Sequence, residues 1–251
     1  MKAGVFDSGV GGLSVVKSLL EQKVFEEIIY YGDTARVPYG SKDKNTIISY
    51  SLEALEFLKN FDLDIIIVAC NSVSAYALDE LRNSIDIPVV GVIESGAMAL
   101  EKNVSNKDSN ILVIGTKATI DSKLYETSLK DKKYKNIISK ATPLLVPLVE
   151  EDILSGAILD ETLKHYFNDI SNIDCVILGC THFPLLQEQI SQYFNNCKTI
   201  HSGDAIVQIL KDKYKLTNSF DDTKITFFAS SNPDGLKQVA SKWLNLKEEN
   251  E

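Results

Sequence analysis

Short apolar runs rich in Val and Ile recur along the chain at residues 3–7, 27–31, 64–69, 89–92, 110–115, 137–141, 174–179, 199–201 and 224–229. Their length suits strands, and the clearest are apolar at nearly every position, as strands covered on both faces are. Between them, apolar residues recur three and four positions apart. This spacing predicts helices near 12–22, 43–59, 73–83, 95–101, 120–130, 151–167, 184–193, 204–212 and 235–246. Strands alternating with amphipathic helices predict an α/β fold, doubly wound, with largely parallel sheets.

An internal echo divides this pattern in two. Val5-Phe6-Asp7-Ser8 and Val113-Ile114-Gly115-Thr116 each end a strand on a small hydroxyl residue, 108 positions apart. Ile65 to Ser72 and Cys175 to His182 each end a strand on cysteine followed by polar groups, with the two cysteines 110 positions apart. Similar offsets predict two similar halves dividing near residue 93 and, where they face each other, a cleft flanked by both cysteines. The polar stretch 103–110 reads as a surface loop.

Composition narrows the function. With 44% hydrophobic and 24% charged residues the 251-residue chain is folded rather than disordered. Its net charge of −9, with Arg36 and Arg82 the only arginines and the lysines scattered, argues against nucleic acid as a partner. The longest clean apolar run, 65–70, falls far short of the roughly 20 residues a membrane helix needs. Asp7 interrupts the start before a signal-peptide core could form, so the expectation is a cytoplasmic protein with no membrane partner. In that reducing setting a disulfide framework is not expected of Cys70, Cys175, Cys180 and Cys197, and Cys180-x-His182 alone is too sparse for a metal site.

Cys70 and Cys180 each follow a strand and precede a helix, which places both sulfurs at sheet edges where α/β proteins bind ligands. A helix amino terminus there is expected to draw the thiol, ordinarily near pKa 8.5, toward neutrality. Two such thiols facing each other suit inversion of a stereocentre, which needs a base on one face and an acid on the other. The plainer alternative is that each is a small buried apolar group. Cys175, within a strand, and Cys197, in a polar loop, are read that way.

Other groups could hold a substrate. The glycines of Asp7-Ser8-Gly9-Val10-Gly11-Gly12 let backbone N–H groups approach an anion, but the run lacks both nucleotide-binding spacings, and Asp7 fits a small carboxylate substrate better than a phosphate. The long connection Gly32 to Gly40 offers Tyr39 and Gly40 as a wall and backbone donors, with Arg36 as a carboxylate clamp or a loop anchor. Thr116 and Thr119 present hydroxyls that bind substrate or cap the next helix, and His182 stands where it could tune Cys180.

Four segments together resemble the motif set of cofactor-independent bacterial glutamate racemases. They are Phe6-Asp7-Ser8-Gly9-Val10-Gly11-Gly12, Tyr31-Gly32-Asp33-Thr34-Ala35-Arg36-Val37-Pro38-Tyr39-Gly40, Ala69-Cys70-Asn71-Ser72 and Leu178-Gly179-Cys180-Thr181-His182-Phe183-Pro184-Leu185. The resemblance runs in order from residue 4 to about 210 and implies two pseudo-symmetric α/β lobes with glutamate between them, the last strand and helix returning to the first lobe, so that 1–93 with 210–251 form one lobe and 94–209 the other. It implies Cys70 as the acid/base for D-glutamate and Cys180 for L-glutamate, with Asp7 assisting the first and Glu150 and His182 the second. It further implies substrate contacts from Asp7, Ser8, Tyr39, Gly40, Asn71, Ser72, Thr116, Thr119, Thr181 and His182, no metal or cofactor, a homodimer, and D-glutamate destined for peptidoglycan. Ser72 departs from the family's usual Thr, keeping the hydroxyl and losing a methyl, and the short amino terminus argues against control by a cell-wall precursor. The alternatives are an aspartate racemase of the same superfamily, a non-catalytic carboxylate-binding regulator, and a pyridoxal-dependent enzyme using Lys117.

Overall fold

The computed structural model describes residues 1–214, 216, 219, 220 and 222–245. Strands β1 (Lys2–Asp7), β2 (Glu27–Gly32), β3 (Ile65–Val68) and β4 (Val89–Gly91) alternate with helices α1 (Leu13–Glu21), α2 (Lys44–Leu58), α3 (Asn71–Tyr76), α4 (Leu78–Asn83) and α5 (Val92–Asn103). The second set has β5 (Asn110–Gly115), β6 (Asn136–Ala141), β7 (Cys175–Gly179) and β8 (Lys198–His201). Its helices are α6 (Lys117–Asp121), α7 (Leu124–Asp131), α8 (Leu145–Glu150), α9 (Ala157–Phe167), α10 (Gln187–Tyr193) and α11 (Ser202–Tyr214). The chain then returns through β9 (Lys224–Ala229) and α12 (Pro233–Leu244).

The strands form two sheets, ordered β4-β3-β1-β2-β9 and β6-β5-β7-β8. All described pairings are parallel. Read from the opposite edge, the first four strands of the first sheet run β2-β1-β3-β4, the same winding as β6-β5-β7-β8, and β9 is added beside β2. The repeat seen faintly in sequence is thus a repeat of topology. In both windings the connection reverses direction between the first and third strands, the place where an open α/β sheet leaves a crevice at its carboxyl edge.

Strand parity sorts the core. Ile65, Ile67 and Ala69 face one side of the first sheet with Ala3 and Val5, while Ile66, Val68 and Cys70 face the other with Phe6. In the second sheet Val176, Leu178 and Cys180 share a face with Leu112 and Ile114. The two cysteines therefore occupy equivalent positions, each two residues beyond the last apolar residue of its face. Burial on both faces explains why these strands read as continuous apolar runs.

The helices differ from expectation in five places, one being 184–193, which opens as a 3-10 turn over Phe183–Leu186 and is α-helical only from Gln187. The expected helix 73–83 is two short helices meeting at Ala77, and 120–130 is likewise divided into α6 and α7, with Lys123 in the left-handed region between them. The expected helix 151–167 starts only at Ala157, and the separate α8 before it contains Pro147. Proline in the first helical turn is tolerated because its missing N–H would have no intrahelical partner there. Finally, α11 spans the lobe boundary expected near 210 and buries Ile206, Val207, Ile209 and Leu210 in the first sheet's core. Residue 246 of the expected terminal helix lies outside the described residues. Among the described residues no helix is long and apolar enough to cross a membrane.

Candidate active site

The connections leaving the central strands β1, β3, β5 and β7 converge from the two sheets. They carry Ser8, Cys70 with Asn71 and Ser72, Thr116, and Cys180 with Thr181 and His182, which together line one cavity with Tyr39 and Gly40. Val37, Pro38 and Val146 complete its apolar wall. Both thiols are free and buried. The cavity measures about 20 Å³, room for about one water and far less than an amino acid needs. Larger clefts, such as one of about 470 Å³ beside Lys17 and Trp243, open elsewhere on the surface and contain neither thiol.

The lobes meet closely around this cavity. Ser72 and Thr116 share a hydrogen bond of 2.9 Å between their hydroxyls, and Ser14 Oγ lies 2.8 Å from the Thr181 carbonyl oxygen. Tyr125 donates to Asn71 Oδ1 at 2.8 Å. A Cβ on Gly40 would stand 2.4 Å from that of Thr116, so the main chain of one lobe rests directly on a side chain of the other.

The surroundings of the two sulfurs differ in charge. Cys70 Sγ lies 3.5 Å from Ser8 Oγ. Burial, reinforced by the Asp7 carboxylate, pushes this thiol up to about 12, although Ser8 and the Val73 N–H pull the other way. The expected lowering by the helix amino terminus is therefore outweighed at Cys70. Cys180 Sγ lies 3.7 Å from His182 Nδ1, and His182 Nε2 lies 3.1 Å from Glu150 Oε1. Burial alone would lower the His182 pKa, but Cys180 and Glu150 outweigh it and push it up to about 10. At neutral pH, then, the His182 ring beside the Cys180 sulfur carries a positive charge, while Cys70 has no cation among these neighbours and its thiol is held protonated by burial.

A model of the Asp/Glu/Hydantoin racemase family matches residues 12–210. The chain is 58% identical over 245 residues to the glutamate racemase of Nitratiruptor sp., covering 97% of this chain and 96% of that one. The chain belongs to the glutamate racemases of this family. A crystal structure of the Campylobacter jejuni glutamate racemase superposes with a TM-score of 0.97 at 53% identity, covering 99% of this chain and 100% of that one. The Francisella tularensis glutamate racemase, crystallised with D-glutamate, superposes with a TM-score of 0.86 at 33% identity, over 98% and 94% of the two chains. The protein is thus an amino-acid racemase, an isomerase, with the family's two-lobed α/β architecture.

Within this racemase not every expected residue reaches the cavity. Asp7 is fully buried one step behind it, accepting from Gly9 N–H at 2.9 Å and from Thr181 Oγ1 at 3.5 Å. Burial raises its pKa, against the pull of His182 and of the Gly9 and Gly12 N–H groups. Glu150 reaches the cavity only through His182. Thr119 is tied to Thr116 Oγ1 and stands behind it, and Thr116 also caps α6 by accepting from the Thr119 N–H. Arg36 lies outside the cavity: it grips Asp33 and Glu53 and covers the Tyr50 ring at 4.1 Å, while Tyr39 also donates to Asp33. It anchors the loop rather than clamping a ligand. Lys117 is exposed and outside the cavity lining.

Sequence reasoning missed Val146, Tyr125 and the role of Trp243. Val146 lies on α8, which Pro147 concealed. Tyr125 carries no motif and meets the site through its bond to Asn71, so no local signal announces it. Trp243 is set edge-on to the His182 ring, with centroids 6.4 Å apart, and packs against the cores of both lobes.

Proposed function

We propose that the protein interconverts L- and D-glutamate by direct proton transfer between two thiols. The observation that carries this reading is that Cys70 and Cys180, at equivalent strand ends of the two sheets, line the same cavity. In the L-to-D direction the Cys180 thiolate, beside the charged His182, removes the α-proton and becomes a thiol. The Cys70 thiol delivers its proton to the opposite face of the α-carbon and becomes a thiolate. The cationic His182 beside Cys180 and the raised Cys70 thiol support this assignment, and the reverse reaction exchanges the roles.

Ser8, Asn71, Ser72, Thr116 and Thr181 supply hydroxyl and amide donors, with Tyr39 and Gly40 contributing main chain, for the two substrate carboxylates. Asp7 serves Cys70, Glu150 serves His182, and Thr119 fixes Thr116. A cavity of about 20 Å³ must widen to admit glutamate, so the lobes part and then reclose, excluding water while charge develops on the α-carbon. The mechanism requires neither metal nor pyridoxal phosphate.

In the same reading residues 1–93 with 210–251 form one functional lobe and 94–209 the other, with α11 crossing between them. The enzyme, in this reading, works in the cytoplasm, and the family resemblance supports a homodimer that supplies D-glutamate to peptidoglycan. The decisive experiment incubates each enantiomer with metal- and cofactor-free protein in deuterium oxide. Each should be converted with solvent deuterium appearing at the α-carbon of the product. Product that keeps its original α-hydrogen throughout would rule out exchangeable thiols as the acid and base.

A further inference from the structure

Asn71 opens α3 with its side chain buried, and the two ends of its amide have different fates. Oδ1 accepts from the Tyr125 hydroxyl at 2.8 Å. Nδ2 is buried without a hydrogen-bond partner, on a residue that lines the cavity between the thiols. Buried amide donors are normally satisfied, so an orphan on a residue that lines this cavity marks a place for an acceptor.

Tyr125 belongs to the other lobe, on α7, and is itself buried. Its ring is held in a close slot. A Cβ on Gly96 would come within 2.9 Å of Tyr125 Oη, and one on Gly179 within 3.2 Å of Tyr125 Cε2. Burial, reinforced by Cys180, raises the phenol's pKa, so it stays protonated as a donor. Turning the Asn71 amide over would leave that proton unpaired and point a carbonyl oxygen at an anionic substrate.

We propose that Tyr125 is a positioning residue for substrate binding: its hydroxyl holds Asn71 Oδ1, so that Nδ2 is presented to a substrate carboxylate. This rests on the reading of Asn71 as a substrate-binding residue. Because the bond crosses from one lobe to the other, the amide acquires its binding orientation only as the lobes close.

The test is steady-state kinetics with both glutamate enantiomers on Tyr125→Phe, Asn71→Ala and the double variant. Phenylalanine fills the slot without donating. Tyr125→Phe should raise KM about 10-fold with kcat within about 3-fold, the scale of a misdirected hydrogen bond to a charged group. Asn71→Ala should raise KM at least as much, and the double variant should match it within about 2-fold, because nothing is left to orient. Wild-type KM in Tyr125→Phe, or effects that multiply in the double variant, would overturn the role of Tyr125 while leaving that of Asn71 standing. Wild-type KM in Asn71→Ala would overturn both. If Tyr125→Phe unfolds too readily to assay, Asn71→Asp carries the test. Tyr125 would still hold one carboxylate oxygen while the other repels substrate, so KM should rise well above that of Asn71→Ala, and equal KM values would overturn the proposal.

Discussion

Gly11, in the turn leaving β1, lies so close to Thr181 of the other lobe that a Cβ there would stand 2.3 Å from Thr181 Oγ1 and 2.7 Å from the His182 ring. The absent side chain is what lets the lobes approach this closely beside the cavity, as the proposed closure requires. Gly11→Ala should therefore hold the cleft ajar and lower kcat/KM by about 10²-fold, the usual cost of a misplacement near 1 Å. Its backbone is not in the left-handed region, so the unfolding temperature should change little. Steady-state kinetics paired with thermal melts checks both halves.

In the proposed mechanism the thiols carry the chemistry, so their loss should be severe and symmetrical. Cys70→Ala and Cys180→Ala should each reduce racemisation by about 10³-fold or more in both directions, the scale of losing a positioned acid or base. Cys175→Ala and Cys197→Ala, whose sulfurs lie outside the cavity lining, should keep near-wild-type turnover. Circular dichroism of D- and L-glutamate mixtures follows all four. Full activity in either of the first pair would remove that cysteine from the mechanism.

Ser72 reaches across to Thr116 at 2.9 Å, and this bond depends on the hydroxyl, not on the extra methyl that a threonine would bring. Ser72→Ala should raise KM for both enantiomers by about 5- to 10-fold, whereas Ser72→Thr should stay close to wild type. A loss in Ser72→Thr as large as in Ser72→Ala would show that the space left by the missing methyl matters more than the bond.

Alkaline pH should weaken the fold through the active site. The folded-state pKa of His182 is raised from 6.5 to about 10. The stability it contributes is complete below about 6.5 and is lost as pH rises through about 10. Cys70, raised from 9.0 to about 12, extends the loss in the same direction at higher pH. The urea midpoint should fall steadily above neutrality, and His182→Gln should flatten the decline between pH 6.5 and 10. An unchanged slope in that variant would place the alkaline sensitivity elsewhere.

Arg36 makes a structural prediction of the opposite kind. Asp33 is wholly buried, and Arg36 is the cation paired with it. Arg36→Ala should destabilise the protein by about 3 kcal/mol, the lower range for stranding a buried charge, or roughly 6–12 °C in melting temperature for a chain of this size. Activity per folded molecule should be retained, because Tyr39 keeps its bond to Asp33. A kinetic defect without loss of stability would instead make Arg36 a substrate ligand.

The chain pattern determined the parts of this molecule that arise from local chemistry. All nine expected strands are present within a residue or so, because burial on both faces writes itself as a continuous apolar run. The positions of Cys70 and Cys180 could be placed for the same reason: strand parity puts them on matching faces, and their motifs surround them in sequence. The sequence also names Glu150 and Thr119 as site residues, and the fold places them behind His182 and Thr116 instead of in the cavity. Tertiary structure alone decided the rest. Whether a thiol is raised or lowered depends on burial and on a carboxylate such as Asp7, 63 positions from Cys70 along the chain, and no local pattern sums those fields. Tyr125 meets Asn71, and Gly11 meets Thr181, only because two separately folded sheets turn their carboxyl edges toward one another. Contacts between lobes are set by shape at long range, and shape leaves no period in a sequence.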